Sequence, residues 1–382
     1  MKITSVRAVL LSHPYDTRDG LEWVGGYISS WDAALVEVRT DTGLTGIGEV
    51  AQGIMGAAAV PGIVEGLAQY IVGEDPRRVT HLRDRLYDRT VFWARGGIAT
   101  GVIGAIECAL WDILGKARGL PVYELLGGLA HDRLPLYASG GLGTTVEQIV
   151  AFARESEAKG FGIVKVRGIK TPDDSIAVAR AVRDALRPET GFVLDAVQGC
   201  ASRPWAVSEA VRVGTALEEL RPRWFEEPCR AENIQGYAEV RRRVRVPVSG
   251  VESYATRFEF AALIEADGVD IVQPDAAMVG GITEVQRVAA VAATRFLTVI
   301  LHTWGTAVTV MANLHAAFST AIIPMVEFCQ IPNPLREALY AEPLRIEAGH
   351  VLPPTAPGLG VTLTPAIERA FPHLPGRGHV IF

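Results

Sequence analysis

From residue 134 onward, short hydrophobic runs recur that each close on one ionisable side chain: Lys165, Asp195, Glu226, Glu252, Asp275, His302 and Glu327. Successive members stand about 23 to 31 residues apart, the length of one strand, one helix and their loops. The pattern predicts strands over 134–138, 163–167, 192–196, 224–227, 246–251, 270–273, 298–301 and 325–328. Between them lie amphipathic segments such as SIAVARAVRDAL (175–186) and ITEVQRVAAVAAT (282–294). Eight strands joined by helical crossovers imply a closed parallel barrel, whose strand C-termini converge on one mouth. A polar residue closing a buried strand costs free energy unless it is used, so the series predicts a site at that mouth.

The first third has a different rhythm. Residues 3–11 and 33–39 alternate as strands, and Asp41-Thr42-Gly43 supplies the turn that follows. Between them, 13–31 is rich in glycine and aromatics without a period, a length of loop that is usually functional or disordered. From 57 to 119 the pattern is helical, and Val102, Ile106, Ala109, Leu110 and Ile113 share one face. The N-terminal part is therefore α+β. Residues from about 341 are Pro/Gly-rich and β-like and are expected to return to it. The stretch 304–325 is nearly as apolar as a membrane span, but Asn313, His315 and Ser319 interrupt it. It reads as a helix buried between the barrel and a neighbouring subunit, which suggests a homo-oligomer.

Composition narrows the partners. At 382 residues the chain has room for a large barrel and a smaller domain. A net charge of −6 and a pI near 5.8 disfavour nucleic acid and anionic membranes. The four cysteines (Cys108, Cys200, Cys229, Cys329) form no CxxC pair, as in reduced thiols of a cytoplasmic protein, and the N-terminus reads as a strand and not as a signal segment.

Asp195, Glu226 and Glu252 end three consecutive strands. Strand-end carboxylates can cap helices or pair with arginines, but three neighbours repel unless a cation sits among them, and hard oxygen ligands favour Mg²⁺. Glu226 and Glu227 of FEEP point to opposite sides of their strand, and alternation alone does not choose between them. Asp275 and His302 end adjacent strands, a pairing that fixes the histidine tautomer and makes a general base. His315 has no such partner and is expected in the core. Glu327 could hydrogen-bond a developing oxyanion if protonated, or pair with a barrel cation. Lys165 and Arg167 share one face of the second strand and would offset the carboxylates; a lysine whose pKa is depressed could also serve as a base, which an arginine cannot.

With these residues in place the chain resembles the enolase superfamily, in its mandelate racemase/muconate-lactonizing branch. The likeness runs through IECALWDILGK (106–116), PVYELLGG (121–128), KVR (165–167), LDA (194–196), WFEEP (224–228), GVES (250–253), QPDAAMVGGIT (273–283), HTWGT (302–306) and VEF (326–328). The resemblance implies a modified (β/α)7β barrel over 126–340, capped by an α+β domain made of 1–125 and 341–382. It implies Mg²⁺ on Asp195, Glu226 and Glu252, which selects the first glutamate of FEEP. It makes His302–Asp275 the base that takes the proton α to a carboxylate, and Glu327 a donor to the enolate. The segment 13–31, with Trp23 and Tyr27, and a second around 51–56 would form the specificity lid, with Trp304 beside it. The runs HTWGTAVTV, VEFCQIPNPLR and PTAPGLGV are similar to acid-sugar dehydratases and galactarolactone cycloisomerases.

One position departs from the family. The second strand commonly carries Lys-x-Lys, with the second lysine as an opposing base, and here that position is Arg167. Arginine stays protonated, so one-base elimination is expected over racemisation or epimerisation. The expected substrate is an acid sugar or its lactone, with dehydration or cycloisomerisation as the outcome. A non-catalytic carboxylate-binding protein is the alternative from another class. A phosphate-binding barrel enzyme would want a glycine-rich nest after strands seven and eight, which HTWGTA and EFCQIPN do not supply.

Overall fold

The computed structural model describes residues 1–18, 21–23 and 25–381. Its N-terminal unit is built on three antiparallel strands, Ile3–Pro14, Ser30–Thr40 and Thr45–Val50, side by side in that order. The third is hidden in the sequence because Gly46 and Gly48 weaken a strand pattern. Their purpose is close approach. A Cβ on Gly46 would lie 1.9 Å from the Ala109 carbonyl oxygen, and one on Gly48 would lie 1.8 Å from that of Ala105. Helix Gly97–Arg118 therefore lies directly on the sheet and ends at Gly119, whose φ of +67° makes the left-handed cap. That helix is long and apolar enough to cross a membrane, yet it is buried inside the molecule over most of its length. The helical stretch expected over 57–119 is broken into Val60–Ala68, Val79–Ala94 and Gly97–Arg118 after the short turn Ala57–Ala59.

The barrel strands are Leu134–Ser139, Ile163–Arg167, Gly191–Asp195, Phe225–Glu226, Val248–Gly250, Ile271–Val272, Thr298–Val299 and Val326–Cys329. Each pairs in parallel with the next, the eighth pairs with the first, and the bridge from Leu301 to Val326 closes the ring. Strands four to seven are shorter than the sequence suggests. Beyond the third, fourth and fifth the ladder breaks at Val197, Glu227 and Val251, which have φ of +53°, +46° and +64°. Such backbone is costly for these residues and bends the chain at the mouth.

Alternation then sorts the interior. Tyr137, Val193, Trp224, Ile271 and Ile300, with Ile163 and Met325 packed on them, form an apolar plug. Two residues further along each of these strands stand Ser139, Asp195, Glu226, Gln273, His302, Lys165 and Glu327. The period of two thus puts the polar series on the plug, facing inward, and gives Glu226 the interior side.

Buried carboxylates join the two units. Glu49, on the third cap strand, accepts from the backbone N–H of Thr306 (3.1 Å) and Thr309 (3.0 Å) and from both hydroxyls (2.6 and 2.8 Å). It caps helix Ala307–Phe318 from across the domain boundary. Glu107 does the same for helix Ile282–Ala293, accepting from Ile282 N–H (2.9 Å), Thr283 N–H (3.0 Å) and Trp111 Nε1 (2.7 Å). Removing one such carboxylate strands several buried donors. Glu49→Ala is expected to cost about 3 kcal/mol, read as a lower denaturant midpoint. An unchanged midpoint would contradict the riveting role.

Helix Ala307–Phe318 is buried on every side within this chain. The apolarity of 304–325 is therefore explained by the cap, and the sequence argument for a neighbouring subunit falls away. His315 sits in the core as expected, stacked on Tyr123 and accepting from its N–H at 3.2 Å, with burial lowering its imidazole to about 4. The C-terminal return first pairs His350–Val351 with the start of the first barrel strand. It then reaches the cap, where Glu368 meets Arg7 at 2.7 Å and His379–Ile381 adds to the hairpin Glu22–Trp23/Gly26–Ile28.

Candidate active site

The strand ends bring the charged series together at the mouth. Lys165, fully buried, lies 2.6 Å from Glu226, 2.8 Å from Glu327 and 3.9 Å from Asp195. Burial would lower its ammonium, but Glu226 and Glu327 outweigh that and raise it well above the usual lysine range. Lys165 is thus held as a cation among the carboxylates.

Arg167, one turn of the pleat further out, donates to the Gly140 carbonyl, lies 3.8 Å from Asp195 and stands 4.7 Å over the Trp304 ring. These contacts make it a positioned cation facing the cleft.

Glu327 stands on the eighth strand. It pairs with Lys165 and accepts from the Thr303 N–H at 2.8 Å. Burial would raise its carboxyl, but Lys165 and His302 bring it down to about 2. An ionised carboxylate accepts hydrogen bonds and does not donate them. In this structure Glu327 holds Lys165 and fixes the backbone beside His302.

His302 and Asp275 meet as expected, with Nδ1 2.9 Å from Asp275 Oδ2. The other Asp275 oxygen accepts from Ala277 N–H and Asn313 Nδ2, both at 2.9 Å. Asn313 also donates to the His302 carbonyl at 3.1 Å and accepts from Ala276 N–H at 2.9 Å. It locks base and partner into one rigid array, a role the sequence shows only as a polar break in an apolar helix. The free Nε2 of His302 lies 3.4 Å from Glu252. Burial would lower the imidazole, yet Glu252, Asp275 and Glu327 raise it to about 10.

The acidic group is out of balance. Burial, and then Glu226, push Asp195 up to about 7, and burial with Glu252 raises Glu227 well above the carboxylate range. Glu226 is engaged by Lys165, by Trp224 Nε1 at 2.8 Å and by Gln273 Nε2 at 3.0 Å. Among the described residues no three His, Cys, Asp or Glu side chains are gathered into a ready coordination set. In kind and charge, however, Asp195, Glu226 and Glu252 are the donors a divalent cation needs, and such a cation would relieve the repulsion that raises Asp195.

Above them lies a cleft of about 120 Å³, lined among others by Trp23, Arg167, Glu252, His302, Trp304 and His379. Two of the three aromatic lid residues line it. Tyr27 does not, because alternation on its short strand turns Ile28 to the cleft instead and sets Tyr27 under Arg18, 3.7 Å from its ring centre. The expected lid segment 13–31 holds a hairpin and strand ends, and residues 19, 20 and 24 of it lie outside the described residues. The segment 51–56 contributes Ile54 and Met55 from the short helix Gly53–Gly56. His379 is wholly unanticipated, since only pairing of the chain end with residues 26–28 brings it here.

Comparison with known proteins agrees with this geometry. Residues 18–127 match the family model of the mandelate racemase / muconate lactonizing enzyme N-terminal domain, and residues 148–367 match that of the enolase C-terminal domain-like family. The chain is 32% identical over 375 residues to D-galactarolactone cycloisomerase of Agrobacterium fabrum, covering 95% of this chain and 97% of the relative. It is 35% identical over 353 residues to D-galactonate dehydratase of Ralstonia nicotianae, covering 88% and 90%. The crystal structure of 3,6-anhydro-D-galactonate cycloisomerase from Zobellia galactanivorans superposes with a TM-score of 0.87 at 29% identity, over 98% of this chain and 100% of that one. With a cap on a β/α barrel and a His–Asp pair beside strand-end carboxylates, the chain belongs to the mandelate racemase/muconate lactonizing enzyme branch of the enolase superfamily.

Proposed function

We propose that this enzyme removes the proton α to the carboxylate of an acid sugar, or of its lactone, and completes a one-base β-elimination. The observation that carries the proposal is the His302–Asp275–Asn313 array, set beside the carboxylates, with an arginine at the second position of the strand-two motif. His302 Nε2 takes the α-proton. Asp275 holds the Nδ1–H and stabilises the imidazolium, and Asn313 keeps both in place. Arg167, facing the cleft, binds the substrate carboxylate, and Lys165 below it offsets the charge of Glu226 and Glu327. As the β carbon–oxygen bond breaks, the imidazolium returns its proton to the leaving oxygen on the same face, and the enol product becomes a 2-keto acid.

Asp195, Glu226 and Glu252 would hold Mg²⁺, which when bound supplies positive charge against the charge that develops on the substrate carboxylate. His302 must be neutral to act as a base, so the Glu252 charge that raises it has to be taken up by a cation.

When a hydroxyl leaves, the enzyme is a dehydratase. When the ring oxygen of a lactone leaves, it is a cycloisomerase, a second reading favoured by the Agrobacterium fabrum relative. A panel including D-galactonate, arabinonate and D-galactarolactone, assayed with Mg²⁺, decides between them. Hydroxy acids yielding 2-keto product with loss of water support dehydration, and isomeric product from the lactone supports cycloisomerisation. No product from any acid sugar or lactone overturns the proposal.

Arg167→Lys separates binding from a lost base. It is expected to lower kcat/KM about tenfold or more, because the forked contact is lost. Epimerised substrate appearing with the variant would contradict the binding role.

A further inference from the structure

The cleft has a ceiling as well as a floor, and the ceiling carries unmet hydrogen-bonding groups. His379 comes from the last strand, His379–Ile381, which pairs with Gly26–Ile28. Just before it, the Gly378 carbonyl accepts from the Ser29 N–H and the Ser29 hydroxyl, both at 2.9 Å, so the chain end is tied down where it enters the site. The imidazole lines the cleft with Arg167, His302 and Trp304, and lies 5.8 Å from Trp23 and 6.1 Å from Trp31, ring centre to ring centre.

Nδ1 of the His379 ring is buried and has no hydrogen-bond partner. In the tautomer with its proton on Nε2, Nδ1 presents a lone pair. Burial lowers the imidazole to about 4, which keeps it in a neutral form. Trp31, stacked on Trp304 at 5.5 Å, has the opposite deficit: its indole N–H is also buried without a partner. A buried donor and a buried acceptor left open, on rings 6.1 Å apart, are costly unless something that both accepts and donates reaches them. A hydroxyl group does both.

We propose that His379 is a specificity-determining residue: its Nδ1 accepts a hydrogen bond from a hydroxyl on the part of the substrate that faces the cap, with the Trp31 N–H available to the same hydroxyl. The assignment rests on the acid-sugar function proposed above. It gives the C-terminal strand a place in substrate choice, alongside the hairpin it completes. The aromatic walls Trp23 and Trp304 suit the C–H faces of a sugar chain, and His379 supplies the polar contact that distinguishes one hydroxyl from its absence.

The test is calorimetric titration in the His302→Asn background with Mg²⁺ present, so that no turnover intervenes. The probes are D-galactonate and its singly deoxygenated analogues. His379→Leu is expected to weaken D-galactonate about tenfold and leave the affinity for one analogue, the one lacking the hydroxyl it reads, unchanged. His379→Gln, which keeps an acceptor, is expected to recover part of the loss, and Trp31→Phe to show the same selectivity. Equal losses for every probe, no loss, or no binding would overturn the assignment, and matched melting temperatures exclude a folding defect. Wild-type turnover with equal losses fails His379 alone. Selective losses without wild-type turnover fail the reaction alone.

Discussion

His302→Asn is expected to lower turnover by about 10³- to 10⁴-fold, because it removes the imidazole that takes the α-proton while leaving the packing almost unchanged. Asparagine is close in size and can still face Asp275, so the melting temperature should stay near that of the wild type. Asp275→Asn is expected to lose about 10²-fold or more by a different route. An amide that donates to Nδ1 would drive the ring proton onto Nε2, the atom that must be free to accept. Steady-state kcat and KM on one active acid sugar check both. A His302→Asn enzyme within tenfold of wild type would remove His302 from the base role.

Removal of divalent metal is expected to cost about as much, roughly 10³-fold in kcat, with recovery on adding Mg²⁺. The physical ground is the uncompensated acid group: burial and Glu226 hold Asp195 near 7 against the opposing charges of Lys165 and Arg167. Mg²⁺ should also stabilise the fold, by about 2.7 kcal/mol at a hundredfold excess over its dissociation constant. This shift in melting temperature needs no substrate. It should vanish in Asp195→Asn, Glu226→Gln and Glu252→Gln, and persist in Glu227→Gln. Full activity after chelation, or a Mg²⁺ shift lost in Glu227→Gln and kept in Glu226→Gln, would contradict the assignment.

The barrel was legible because each strand spends its alternation in the same way, an apolar plug residue followed two positions later by a polar one. Trp224 then Glu226 and Ile300 then His302 obey one rule, so spacing alone found the mouth. The cap strand Thr45–Val50 was not legible, since its glycines answer to a helix backbone far away in sequence. Glu327 was found as a site residue with two roles open, donor to an oxyanion or partner of a barrel cation, and the cation it meets, Lys165, is delivered by a different strand. The apolar stretch 304–325 was read as a helix buried between the barrel and a neighbouring subunit, when neighbouring helices of this chain and the cap strand Thr45–Val50 with Glu49 enclose it. Tyr27 and His379 show the same limit at the ceiling: which residue faces the cleft is set by a pairing between residues 26–28 and 379–381, and no local pattern announces it.

The most direct measurement is solvent-deuterium incorporation at the substrate α-carbon, followed by proton NMR in D₂O with Mg²⁺, for wild type and His302→Asn side by side. The wild type should lose the α-proton signal of an acid-sugar substrate, with deuterium appearing there or elimination following its loss, and the variant should leave that signal intact over the same period. Loss of the α-proton at the wild-type rate in His302→Asn would contradict the account.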